Sequence, residues 1–202
     1  MQSSYPTLVL ASSSPFRKML LERLMIPFET ANPDIDESAN PGETPQELVE
    51  RLAIEKAKAV ASVYTNALVI GSDQVAVHGD EIVGKPHTHE RAIEQLRAAS
   101  GKRVELYTGL ALINTQSKAV QSTVAPYTVF YKPLTDEVIE AYLLKEQPYQ
   151  CAGSLRAEGL GIALLERFAG EDPNALIGLP LIQLVTMLER EDFPLFINQG
   201  LY

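Results

Sequence analysis

The stretch Leu68-Val69-Ile70-Gly71-Ser72-Asp73-Gln74 constrains the chain most. A short apolar run preceded by Tyr64-Thr65-Asn66 reads as a buried strand, and the glycine, hydroxyl, carboxylate and amide that follow read as its C-terminal end, delivering side chains to a cleft. Open α/β sheets bind ligands in such places. Gly71 permits a tight backbone, so Asp73 is held by the strand rather than by a loose loop. The plainer reading is a strand-end turn, where Gly, Ser and Asp are common, and the rest of the chain has to decide.

Leu8-Val9-Leu10-Ala11 is a second apolar strand, followed directly by Ser12-Ser13-Ser14-Pro15-Phe16-Arg17-Lys18. Ser14 is a good N-cap and Pro15 suits the first helical position, predicting a helix from Pro15 to about Leu24 that buries Met19, Leu20, Leu21 and Leu24. Hydroxyls at a helix N-terminus make a natural anion site. Arg17 and Lys18 in its first turn are disfavoured by the dipole unless an anion binds there; otherwise they are a solvated basic start.

Phe28–Ala31 reads as a strand and Asn32–Ser38 as an acidic loop, whose carboxylates are either solvated or available to Mg²⁺. Thr44-Pro45-Gln46-Glu47 carries a capping box and opens a helix to about Tyr64, with Leu48, Leu52, Ala59 and Val63 on its apolar face and its lysines readable as surface charges. That helix packs back on the sheet as a βα crossover. Val75–Val83 is a hairpin turning at His78-Gly79-Asp80, and Gly84-Lys85-Pro86 holds a lysine beside a rigid proline. Thr88 caps a helix to about Ala99, ended by Gly101; Val104–Ile113 and Val120–Tyr131 pair antiparallel; Thr135 caps a helix to about Lys145. Ile162–Leu165 reads as a strand, and a helix follows Pro180.

The 202 residues fit a single unit spanning 1–202, either one domain or two closely joined lobes. A net charge of −9 argues against nucleic-acid or membrane-surface binding, although a local basic cluster with a divalent cation still accommodates a small polyanion. No apolar run approaches the roughly 20 residues of a membrane span, and Met1–Leu10 lacks a basic start and an apolar core, which predicts a cytoplasmic protein. The single cysteine, Cys151, excludes an internal disulfide and reads as a buried small residue. His78, His87 and His89 have no metal-ligand spacing and read as solvated. No Walker A sequence, Rossmann fingerprint or Gly-x-Ser-x-Gly elbow is present. What remains is a set of cations with carboxylates, the combination that polyphosphate hydrolysis needs to neutralise phosphoryl charge and orient water.

Leu-Ala-Ser-Ser-Ser-Pro-Phe-Arg-Lys at 10–18, Asp36-Glu37, Glu55-Lys56-Ala57, Ile70–Gln74, Gly84-Lys85-Pro86, Tyr107-Thr108-Gly109, Ala152-Gly153-Ser154 with Glu158-Gly159, and Asn174 with Gly178–Leu181 resemble the Maf family of nucleoside triphosphate pyrophosphatases, in order and across nearly the whole chain. Within that family the chain is most similar to the 7-methyl-GTP branch rather than the dTTP/UTP branch. The resemblance implies an α/β, two-lobed ITPase-like fold: a mixed twisted sheet with flanking helices and a cleft between lobes. It also implies a homodimer and a Mg²⁺ or Mn²⁺ cofactor, with a nucleoside triphosphate hydrolysed to its monophosphate and pyrophosphate. Carried over by position, Asp73 is the proton acceptor, a metal-bound carboxylate, or both, and Glu37 is the second metal carboxylate. Ser12, Arg17, Lys56 and Lys85 meet the phosphates, while Phe16, Gln74 and Glu158 tune base choice. Phe16 stands where the pattern commonly has a second arginine or a tryptophan. The competing class is a nucleotide-binding regulator of septum formation with little catalysis; the presence of Asp73 and the lysines places hydrolysis first.

Overall fold

The computed structural model describes residues 5–79 and 81–196. In chain order its elements are β1 (Thr7–Ala11), α1 (Pro15–Glu22), β2 (Glu29–Ala31), α2 (Pro45–Ala61), β3 (Ala67–His78), β4 (Glu81–Val83), α3 (His89–Ala99), β5 (Arg103–Asn114), β6 (Val120–Tyr131), α4 (Asp136–Glu146), β7 (Leu165–Gly170) and α5 (Leu181–Arg190). The strands form one mixed sheet in the order β2-β1-β3-β5-β6-β7, with β4 also paired to β3. β1 runs parallel to β2 and β3, as the helical crossovers between them require, and the remaining pairs are antiparallel.

Local chemistry explains where most helices start. The hydroxyls of Ser14, Thr44, Thr88 and Thr135 each accept from a backbone N–H in the first turn, and Thr44 and Glu47 complete a reciprocal capping box. Helix α5 starts differently. The buried Asp172, nine residues upstream of Leu181, accepts from Ile182 N at 2.7 Å and supplies the cap that Pro180 cannot.

The alternation of β3 distributes the core. Its odd-numbered residues face α2: Val69 with Val9, Ala111 and Ile113 packs on Ala53, Ala57 and Val60, and Val75 with Val77 packs on Leu48, Val49 and Leu52. Its even-numbered residues face the other way and divide into two cores. Leu68 and Ile70 join Leu20 and Leu21 of α1 and Leu184 and Leu188 of α5. Ala76 joins Ala92 and Leu96 of α3 and Ile139 and Leu143 of α4. Between these two lobes, on the same face of the same strand, come the polar Ser72 and Gln74.

Four sequence expectations are corrected. The central strand does not stop at Gly71 but continues to His78, so Asp73 sits in mid-strand. Gly71 is there for close approach: a Cβ would lie 2.0 Å from Ala53 O on α2, and Gly109 on the neighbouring β5 has the same relation to Val49 O. Helix α1 ends at Glu22, with Met19 exposed. Helix α2 ends at Ala61; Ala59 and Val63 face solvent, and the face that meets Gly71 is Leu48, Val49, Leu52, Ala53, Lys56, Ala57 and Val60. Residues 160–164 form a 3₁₀ turn instead of a strand, with Ile162 N donating back to Gly159 O and Leu165 N to Ile162 O, and the strand begins only at Leu165. The hairpin at 75–83 pairs as expected, though Asp80 lies outside the described residues. Among the described residues no helix is long and apolar enough to cross a membrane.

Candidate active site

On one edge β3 pairs with β5 from Leu68 to Val77. On its other edge β1 pairs only as far as Gly71, and β4 begins only at Ala76. Among the described residues, Ser72 to Val75 therefore have no strand partner on that side. The cleft opens on this gap, with a cavity of about 970 Å³. Ser12, Phe16, Arg17, Glu37, Lys56, Asp73, Gln74, Lys85 and Glu158 all line it, so all nine residues singled out in the sequence are brought together.

Lys56 is the hub. It sits on the buried face of α2 at 4% exposure, and its ammonium lies 2.7 Å from Asp73 Oδ1 and 2.8 Å from Glu37 Oε1. Asp73 is 7% exposed, whereas Glu37 reaches in from the loop before α2 and stays half open to solvent. Partial burial works against ionisation of Glu37, but the hydrogen bond and charge of Lys56, with the charges of Lys85 and Arg17, prevail and hold its pKa below the ordinary carboxylate value. The loop that carries Glu37 is tied to α2 by Arg51. That guanidinium binds both oxygens of Glu43, at 2.6 and 2.7 Å, and also Ser38 O and Glu55.

Arg17 turns inward from the first turn of α1, and its Nε donates to Gly178 O at 2.8 Å. Desolvation lowers its pKa against the attraction of Asp73 and Glu37. Lys18, by contrast, points outward beside Glu22 and takes no part in the cleft. Ser12 is buried and accepts from Ser14 N at 3.1 Å, which shapes the turn between β1 and α1. Lys85 is exposed on a loop whose Gly84 carbonyl is gripped by Gly153 N and Gln95 Nε2.

Gln74 Nε2 donates to Thr108 Oγ1, Ala175 O and Leu176 O, and Ser72 Oγ lies within hydrogen-bond reach of Gly109 O and Gly178 O. These two side chains bind the 172–178 segment across the seam between the lobes. The amide nitrogen of Gln74 is thus committed within the protein. His87 is exposed as expected, but the other two histidines are less solvated: His89 contacts Tyr149 Oη at 2.9 Å and Glu140 at 3.0 Å, and the buried Nε2 of His78 has no protein partner among the described residues. Cys151 is half-buried on the cavity wall, and burial, with the charge of Glu158, pushes its thiol up to about 11.

Sequence reasoning missed Arg156 and Glu146. Arg156 stands over Phe16 with its guanidinium 5.4 Å from the ring centroid, paired with Glu146 and Glu158, and all four residues line the cavity. A charged residue two places before Glu158 was the available signal.

A family model described as Maf-like protein matches residues 7–191. The chain belongs to the Maf-like protein family. This Maf-like protein is 59% identical over 189 residues to a Nitrosococcus oceani protein named 7-methyl-GTP pyrophosphatase, covering 94% of this chain and 95% of that one. It is 55% identical over 186 residues to a Pseudomonas aeruginosa protein of the same name, covering 92% and 97%. A solved structure of a HAM1 protein from Coxiella burnetii superposes with a TM-score of 0.50 at 17% identity, over 92% of this chain and 99% of that one, so the two share a fold.

The Maf-like protein has a donor set that fits a divalent cation. Glu37 and Asp73 converge on one positive charge inside the cleft, and two carboxylates completed by phosphate oxygens suit Mg²⁺. Among the described residues no group of three or more His, Cys, Asp or Glu forms a metal cage, so substrate oxygens would have to complete the shell.

Proposed function

We propose that this protein hydrolyses the α–β phosphoanhydride of 7-methyl-GTP, releasing 7-methyl-GMP and pyrophosphate. The observation that carries the reading is Lys56 between Asp73 and Glu37, in a cleft that also holds Arg17 and Lys85. Arg17, Lys56 and Lys85 all act on Glu37 beside Asp73, and this local excess of cations over carboxylates favours a polyphosphate. The relatives named 7-methyl-GTP pyrophosphatase support the choice of base.

Arg17, Lys56 and Lys85 draw the triphosphate into the gap beside β3, and Ser12 shapes the turn against which it rests. A water oxygen bonds to the α-phosphorus as that phosphorus parts from the bridging oxygen, and pyrophosphate leaves with the electron pair. The water's proton passes to Asp73. With Oδ1 held by Lys56, Oδ2 is the oxygen that takes it. Glu37 and Asp73 would also hold Mg²⁺ or Mn²⁺, which when bound offsets charge on the non-bridging phosphate oxygens. Phe16 and Glu158 suit the base, since a carboxylate accepts from the N1–H and N2–H₂ edge of guanine and an aromatic face attracts a ring made cationic by N7 methylation.

The test is turnover of 7-methyl-GTP, GTP, dTTP and UTP with Mg²⁺ or Mn²⁺, with chromatography of the products. Expected are 7-methyl-GMP with pyrophosphate and the highest kcat/KM on 7-methyl-GTP. 7-Methyl-GDP with orthophosphate, or equal efficiency on all four, overturns the reading.

A further inference from the structure

Besides Arg17, Lys56, Lys85, Glu37 and Asp73, the cavity is lined by a second charged cluster, in which Glu146 and Glu158 outnumber Arg156. The second cluster has an uncommon composition for a nucleotide site. Arg156 Nη1 lies 2.7 Å from Glu146 Oε1, its Nε lies 3.3 Å from Glu158 Oε1, and its guanidinium covers the ring of Phe16 from the opposite lobe. The carboxylates are the covered members, with side chains 11% and 17% exposed, while Arg156 is 40% exposed. Glu146 is further fixed by accepting from Leu160 N at 2.6 Å. Two carboxylates and an aromatic face thus surround one cation, whose side chain is the most exposed of the three charged groups.

We propose that Arg156 is a resident stand-in for a positively charged base, occupying the face of Phe16 between Glu146 and Glu158 until a cationic purine displaces it. The inference rests on the 7-methyl-GTP reading above and extends it to how the base is selected. A guanidinium and an N7-methylated guanine are both planar, delocalised cations, so one replaces the other with stacking and charge balance preserved. Neutral guanine regains the stacking but not the charge, and the two carboxylates are left facing an uncharged ring. Every purine has to displace Arg156, and only the cationic one restores what the displacement removes.

This assignment makes an unusual prediction: removing Arg156 improves binding. In Arg156→Gln, KM for 7-methyl-GTP falls about three- to tenfold and moves more than kcat, the KM for GTP falls less, and calorimetry shows tighter binding of 7-methyl-GMP. In Glu146→Gln, KM for 7-methyl-GTP rises while that for GTP changes little, which shrinks the preference. A KM for 7-methyl-GTP that rises or stays the same in Arg156→Gln overturns the proposal, because that is what a direct base contact or a structural role produces. Should thermal melting show that Arg156→Gln does not fold, Arg156→Lys decides: it keeps the charge but loses the planar stack, and a KM below wild type supports displacement while an equal or higher one refutes it. Failure of the underlying reading looks different, since wild-type protein would then not turn over 7-methyl-GTP at all.

Discussion

Lys56 on α2 and Asp73 on β3 form a 2.7 Å ion pair in which both side chains are at least nine-tenths covered. A buried carboxylate that keeps its charge needs such a partner, and a buried ammonium does too. The same ammonium holds Glu37 at 2.8 Å, so one lysine organises two carboxylates of the cleft. Asp73→Asn preserves shape and leaves Lys56 with Glu37, but the amide cannot accept the proton of water. Turnover of 7-methyl-GTP is expected to fall about 10²–10⁴-fold while the protein still melts cooperatively. Retention of more than about a tenth of the activity would remove Asp73 from this role.

Lys56→Met separates the ion pair from the fold. The substitution fits the apolar face of α2 but leaves Asp73 buried without its cation, and breaking a buried pair in this way costs about 3–5 kcal/mol. The double change Lys56→Met with Asp73→Asn is expected to recover part of that stability and none of the activity, which a thermal melt and a turnover assay read separately.

Acid sensitivity should trace to Glu43. Its hydrogen bond with Arg51, followed by that from Asn40 N, lowers its pKa from 4.5 to about 2. The folded value lies below the unfolded one, so its contribution to stability is present above about pH 4.5 and is lost as the pH falls toward 2. Arg51→Met is expected to lower the melting temperature at pH 7, and the difference from wild type should shrink across that window. Because Arg51 also binds Ser38 O beside Glu37, the variant should lose activity at neutral pH, by up to about a hundredfold if Glu37 is displaced by 1 Å. A difference in melting temperature that is constant from pH 7 to pH 3 would refute the assignment.

Helix α2 reaches the sheet only because Gly71 and Gly109 have no side chain. In Gly71→Ala the new methyl would lie 2.0 Å from Ala53 O and 2.8 Å from Ala57 N, backbone atoms that move only with the helix. Overpacking of this kind costs about 1–3 kcal/mol or more, or at least several degrees of melting temperature in a chain of this size. The shift also displaces Lys56, one turn along the same helix, so activity should fall further than stability accounts for. An Ala variant that melts with wild type would show that the helix has room.

What was legible in the sequence was local. Ser14, Thr44, Thr88 and Thr135 cap helices through bonds that close within three residues, and the nine cleft residues sit in short motifs that survive separation from their neighbours. What was not legible depends on distance. Gly71 looks like a strand terminus because its real constraint, the carbonyl of Ala53, comes from another element. Lys56 looks like a surface charge until Asp73 and Glu37 are placed around it. Asp172 carries no capping signature, since the N–H it accepts from is ten residues away. Arg156 stands beside Phe16 only after the two lobes have folded against each other.

Gln74 separates a residue that reads the base from one that holds the cleft together. Its Nε2 meets Thr108 Oγ1 at 2.9 Å, Ala175 O at 2.7 Å and Leu176 O at 3.2 Å, which joins β3 and β5 to the segment that also places Gly178 against Arg17 and Ser72. Gln74→Leu removes those donors at little cost in volume and leaves Leu176 O short of a bond, while Ala175 O retains Thr108. A loss of about 1–3 kcal/mol is expected, because a covered acceptor without a donor costs its desolvation. If holding the segment is the main role, the variant loses stability and kcat on 7-methyl-GTP and GTP in equal proportion, since Arg17 shifts with Gly178 whatever the base. A change in the ratio of kcat/KM between the two nucleotides with unchanged melting would instead make Gln74 a reader of the base.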